Sequence, residues 1–219
     1  MPPQPPKRNL SHPSASHQRM QRLHGWIWLF ATGASLASGQ TTLSYHSSYQ
    51  PITAKQRTEW FALSTIGPES MAGGVISAGW GTLFNKPREY GPHWEGFGKR
   101  YGMRLTGVSV SNAMEAGLGA MWGEDPRYVR SQSESFGGRV GHVVKMTLVA
   151  RNRQGQLRPA YARYIAIPGN NFISNAWRAD SEATVGNASL RTVLGFLGRM
   201  SGNAFQEFWP DVRRRFSHQ

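Results

Sequence analysis

The sequence predicts an all-α fold: about six Gly-rich helices in a single bundle, with an α+β arrangement carrying a hairpin around residues 143–166 as the alternative. Three observations point there. Apolar and aromatic residues recur at steps of three and four through most of the chain after residue 53. Small residues repeat at four-residue steps in three separate segments. No fixed-period repeat divides the chain. Its 219 residues suffice for one domain with a real core. The absence of cysteine excludes disulfide scaffolds, thiolate zinc sites, Cys-ligated iron–sulfur clusters and a cysteine nucleophile.

The elements are expected in order. Residues 1–19 hold five prolines and almost nothing apolar, which predicts a disordered leader or an over-extended gene start, with Met20 as a natural initiator. Residues 20–39 follow the three-part grammar of a secretory signal peptide. A head with Arg22 precedes an apolar run from Trp26 to Leu36, and small residues surround Ser38. That run is about 11 residues, short of the ~20 a spanning helix needs. Residues 40–52 read as a polar tail, and 53–216 as the helical domain.

Within the domain, Thr53 can cap a first helix that places Trp60 and Leu63 at helical spacing. Gly67-Pro68 ends it, and Pro68 can open the second helix, 69–84, which carries Gly73, Gly74, Ala78 and Gly81 at close spacing. A third helix starts at Gly91-Pro92 with Tyr90, Trp94, Phe97 and Tyr101 on one face. It continues to Trp122 and breaks at Glu124-Asp125-Pro126. Phe136, Val140, Val144 and Leu148 suggest a fourth helix. A turn at 151–155 follows, then a fifth element, 159–177, interrupted at Pro168-Gly169. The last helix, 188–216, has an apolar face of Leu190, Leu194, Leu197, Ser201, Phe205 and Phe208. Helical glycine costs about 1 kcal/mol relative to Ala, and close helix approach is the usual return. Gly74→Leu and Gly117→Leu should therefore both overpack.

The motifs Glu89-Tyr90-Gly91, Trp94 through Gly102, Asp125-Pro126-Arg127-Tyr128 and Glu207-Phe208-Trp209-Pro210-Asp211 carry a resemblance. The chain resembles an uncharacterised group of exported bacterial envelope proteins that share these motifs in this order. The resemblance implies export and a single domain, and implies nothing about catalysis.

Candidate catalytic groups are few. Asp125 sits in the most polar knot of an apolar neighbourhood and could act as a base, or cap a turn while Arg127 pairs with a carboxylate. Glu115 lies among small apolar neighbours, so it could be an acid of raised pKa or the ion-pair partner of Arg100, Arg104 or Arg139. His142 completes the set. No spacing for a metal site, a nucleotide loop or a nucleophile elbow is present, so no cofactor or metal is expected.

The formal charge is +13. The leader and signal carry Lys7, Arg8, Arg19 and Arg22, so residues 40–219 hold 21 basic against 12 acidic side chains, a net of +9. Arginine dominates, which suits forked contacts to phosphate or carboxylate. The clusters available for anion binding are Lys99, Arg100 and Arg104, then Arg127, then Arg213, Arg214 and Arg215. Export would place them away from nucleic acid and near anionic lipid or an envelope polymer, in the periplasm or outer membrane of a Gram-negative bacterium, with a protein partner also in reach. The terminal helix, with Phe205, Trp209 and Phe216 beside the Arg triplet, reads either as an interfacial anchor or as a packed helix with a basic C-terminal cap. Two functions remain: a non-enzymatic envelope protein packing against lipid or a protein partner, and an exported hydrolase or transferase acting on an envelope lipid or polymer.

Overall fold

The computed structural model describes residues 49–217. The expected leader, signal peptide and first part of the polar tail lie outside the described residues. The remainder is mostly all-α: six α-helices and one two-stranded antiparallel sheet among the described residues.

Helix α1 (Ala54–Ile66) starts at Thr53 with a reciprocal cap. Gln56 donates its backbone N–H to the Thr53 hydroxyl at 3.2 Å, and the Gln56 side chain accepts from the Thr53 N–H at 3.0 Å. Gly67 closes α1 by donating to the Leu63 carbonyl, and Pro68 opens α2 (Pro68–Leu83) at its first turn. Helix α3 (His93–Trp122) runs 30 residues and stops at Gly123, whose φ of 77° is left-handed and suits glycine. Helix α4 (Phe136–Leu148) is capped by the Ser135 hydroxyl on the Gly138 N–H. Strands β1 (Val149–Arg151) and β2 (Leu157–Pro159) pair Val149 with Pro159 and Arg151 with Leu157. The hairpin expected as the alternative thus exists, reduced to three residues a side and flanked by helix at both ends.

Helix α5 (Tyr161–Ile173) continues through Pro168-Gly169, where an interruption was expected. Gly169 leaves room there for Met114 of α3: a Cβ would fall 2.9 Å from its methyl group. Helix α6 (Val185–Ser217) begins three residues earlier than expected, with the Thr184 hydroxyl accepting from the Asn187 N–H, and continues through Pro210.

Helices α2 and α5 pack on α3, and α5 and α4 pack on α6. The ring closes where the Arg199 guanidinium lies over the Trp60 ring, 5.2 Å from its centroid, and where Glu69 covers Gly202. The small residues of α2 admit α3 side chains. A Cβ on Gly74 would come 2.7 Å from the Tyr101 ring, and one on Gly81 would come 2.9 Å from Arg100.

The interior departs from the expected apolar core. Its apolar members are mainly alanines (Ala78, Ala160, Ala162, Ala166, Ala188) with Trp60, Val143, Met146 and Ile167. Beside them Glu115, Arg163, Asn112, Asn171, Asn203 and Glu207 are buried. The apolar stripes that mark these helices in the sequence face outward: Phe136, Val140, Val144 and Leu148 on α4, and Leu190, Leu194, Leu197 and Phe205 on α6 are all exposed. The reason is on the opposite faces. Each helix turns its charged residues, Arg139 on α4 and Arg199 and Glu207 on α6, toward its neighbours, where they pair. A helix cannot present both faces to one interior.

Candidate functional site

Three carboxylate–arginine knots hold the described domain, and they absorb the catalytic candidates. At the centre, Glu115 of α3 accepts from Arg163 Nε at 3.0 Å and also pairs with Arg199 of α6. Arg163 donates further to the Met146 and Thr147 carbonyls, at 3.0 and 2.7 Å. Glu115 and Arg163 are each 3% exposed, so each charge depends on the other for solvation. The partners expected for Glu115, namely Arg100, Arg104 or Arg139, lie elsewhere. Arg163 and Arg199 had no distinguishing signal, because they sit in helices whose inward face could not be read from apolar spacing.

The second knot is Asp125. Its carboxylate accepts two bonds from Arg127, at 2.9 Å from Nε and 2.6 Å from Nη2, and one from the Tyr49 hydroxyl at 3.1 Å. Burial and the adjacent Asp125 charge push the Tyr49 hydroxyl up to about 12. Asp125 also closes a backbone bridge with Arg151, so it fixes the α3–α4 loop to the hairpin.

The third knot joins two of the motifs that carry the resemblance. Glu207, fully buried, accepts from the Tyr128 hydroxyl at 2.9 Å, the Ser131 N–H at 2.9 Å and Arg139 Nε at 2.6 Å. Arg139 reaches on to Asp211 at 2.6 Å, as does Arg130 at 3.3 Å. Burial raises the Glu207 carboxyl, but the Ser131, Arg139 and Tyr128 bonds outweigh it and hold it below its usual range. The same balance, with Arg139, Arg214 and Arg130 as partners, holds Asp211 at about 2. Burial and the Glu207 carboxylate push the Tyr128 hydroxyl well above its ordinary value.

His142 stands apart. Its Nε2 is 2.8 Å from the Val129 carbonyl, which can only accept, so that nitrogen carries the proton; the ring meets Tyr128 edge to face. Among the described residues no hydrogen bond joins any two of Glu115, Asp125 and His142. An open groove of about 540 Å³, lined by Tyr49, Ile52, Arg57, Phe61, Gly117 and Arg153, contains none of the three.

The expected anion-binding clusters divide in the same way. Arg100, 7% exposed, spends its guanidinium on the main chain: Nε donates to the Lys86 carbonyl, Nη1 to Gly91 and Nη2 to Pro87, each at 2.8 Å. Gly96 is needed for this cage, since any Cβ there would strike the Gly91 carbonyl and Arg100 itself. Arg104 donates to the Ser70 carbonyl across α2. Lys99 pairs on the surface with Glu95 at 2.7 Å. Lys99, Arg100 and Arg104 therefore form no common patch, because neighbouring positions on a helix point different ways. Arg127 is committed to Asp125. Arg213, Arg214 and Arg215 are exposed at the end of α6, with Arg214 paired to Asp211. Among the described residues no group of three or more His, Asp and Glu side chains could hold a metal ion.

What sequence reasoning missed is the exterior. Ile76, Trp80, Leu83 and Trp94 are 72%, 67%, 75% and 83% exposed. Among the described residues no helix is long and apolar enough to cross a membrane. Comparison with protein-family models, with curated proteins and with solved structures returns no match.

Proposed function

We propose that this chain is an exported bacterial envelope protein without catalytic activity, membrane-associated through its helical domain and packed against lipid or a protein partner. The observation that carries the reading is the inversion of the domain. Glu115, Arg163 and Glu207 are withdrawn from water and neutralised by partners, while large apolar side chains stand outward on α2, α4, α5 and α6. Exposed apolar surface of that extent marks an interaction face rather than a water-facing one. The signal grammar of residues 20–39 supports export to the periplasm or outer membrane of a Gram-negative cell, and the motif resemblance to exported envelope proteins agrees with it. Action as a hydrolase or transferase on an envelope lipid or polymer gains no support, since Glu115, Asp125 and His142 are each engaged in separate structural bonds.

Fractionation of a Gram-negative host expressing the full chain tests the proposal. The expected outcome is cleavage near Gln40, read by N-terminal sequencing, with recovery in a membrane fraction that resists carbonate. Release with the soluble periplasm on osmotic shock, or an intact N-terminus on cytoplasmic protein, overturns it.

A further inference from the structure

We propose that the outward faces of α2, α3, α5 and α6 form one charge-free belt that contacts lipid acyl chains, so that the bundle is immersed in a bilayer rather than resting on its surface. This inference rests on the membrane-association reading and deepens it.

The belt is legible helix by helix. In α3, from residue 102 to 122, the ionisable side chains are Arg104 and Glu115. Arg104 bonds the Ser70 carbonyl and Glu115 lies in the central knot. In α6, from residue 185 to 205, they are Arg191 and Arg199. Arg191 donates to the Glu182 and Asn171 carbonyls, and Arg199 pairs with Glu115. Each run is 21 residues, about 31 Å of helix at 1.5 Å per residue. A bilayer's hydrocarbon core is about 30 Å thick. In α2 the one charge, Glu69, is turned onto Gly202 of α6, and in α5 the one charge is the buried Arg163.

The four faces look in different directions. Because α2 packs on α3, α3 on α5 and α5 on α6, and because Arg199 and Glu69 bring α6 back against α1 and α2, the outward faces surround the bundle. Four of the six helices thus turn an uncharged face outward, while α1 and α4 carry the exposed Lys55, Glu59 and Lys145. A protein partner covers one side of a domain, whereas uncharged faces on four helices call for an apolar medium. Charges gather instead at the two ends of the runs. Lys86, Arg88, Glu89, Glu95 and Lys99 meet the α5–α6 loop at one end, where Glu89 bonds Ser181. Lys55, Glu59, Lys145 and Arg153 lie toward the other. Trp80 and Trp94 sit near the first end and Trp122 at the second, the placement indole rings take at a membrane–water interface. Single-helix hydropathy stays low because each helix sends its polar residues inward to pair, which is where ionisable groups inside a bilayer are found.

The chain has no cysteine, so single cysteines can be introduced one at a time and spin-labelled. Ile76→Cys, Ala113→Cys, Ile165→Cys and Leu194→Cys place one label on each belt helix, and Lys55→Cys and Glu95→Cys mark the two ends. The full chain is reconstituted in vesicles of phosphatidylethanolamine and phosphatidylglycerol, and collision with oxygen is compared with collision with an aqueous nickel complex. The expected result is loss of nickel collision and retention of oxygen collision at all four belt positions, with the reverse at both ends. Met121→Cys replaces Ala113→Cys if that variant does not fold. Vesicle-bound protein with nickel collision retained on three of the four helices overturns immersion while leaving membrane association standing. Loss of both collisions, with dipolar broadening between labels, assigns the belt to a second copy and overturns the lipid contact. Protein that fails to float with the vesicles overturns both readings.

Discussion

Glu207 ties the 124–135 loop, α4 and its own helix through three donors. Removing its charge takes from Arg139 its buried carboxylate partner and leaves it Asp211, the Glu207 main-chain carbonyl and the Phe208 ring. Breaking a buried pair from one side costs about 3–5 kcal/mol. Glu207→Gln should lose about 3 kcal/mol in denaturant unfolding of the detergent-solubilised protein, toward the lower limit because Arg139 is not fully buried. Retention of parent stability would show that Tyr128 and Ser131 suffice. Acid sensitivity follows from the same group. Glu207 and Asp211 are held below their ordinary values, so their contribution is complete above about pH 4.5 and is lost as pH falls below it, that of Asp211 toward about 2. Melting followed by tryptophan fluorescence should fall as pH drops below about 4.5, with a shallower fall in Asp211→Asn. Such pairs are partly legible: the sequence predicts that Arg127 pairs with a carboxylate, and the structure supplies Asp125. The Glu115–Arg163 and Tyr128–Glu207 contacts span 48 and 79 residues, and nothing local marks them.

At the scale of elements, the helices and their stops were legible because capping and proline chemistry is local. Thr53, Pro68, Gly91-Pro92, Ser135 and Pro159 all stand at or beside boundaries that the structure shows. Facing was not legible. Apolar spacing picks out the stripes on α4 and α6 but leaves their side open, because periodicity fixes a face without saying what medium it meets. The glycines divide on the same ground. Gly74 meets the Tyr101 ring, so Gly74→Leu should cost about 1–3 kcal/mol through overpacking. Gly117, expected to behave alike, has nothing within 4 Å, and its substitution overpacks nothing within the chain. Gly117→Ala should instead stabilise by roughly 0.5–1 kcal/mol, since an exterior helical glycine contributes only backbone freedom. A lowered melting temperature for Gly117→Ala would reveal a close neighbour on that face. The small-residue habit therefore serves two purposes: Gly73, Gly74 and Gly81 admit side chains of α3, whereas Gly98, Gly102 and Gly117 look outward.

For the whole molecule the decisive quantity is where charge sits, and the net figure of +13 conceals it. Of the six arginines first read as ligands for external anions, three are internal braces: Arg100 on three carbonyls, Arg104 on one, Arg127 on Asp125. What remains outward is apolar over most of four helices and charged at their ends, a distribution that sets the solvent rather than a substrate. A charge added to the belt should therefore act on partition and leave the fold intact. Ile76→Glu and Leu194→Glu lie on different helices, and both side chains are more than half exposed. In water such surface changes alter stability by about 0.5 kcal/mol or less. In a bilayer each acidic group near mid-depth costs about 2.5–3.5 kcal/mol. The double variant should keep the helical circular dichroism of the parent and lose most of its membrane-bound fraction on flotation, while Lys55→Glu, at the charged end, should float like the parent. Undiminished flotation of the double variant would place those faces in water or against protein, because two glutamates in acyl chains would shift the partition by several orders of magnitude.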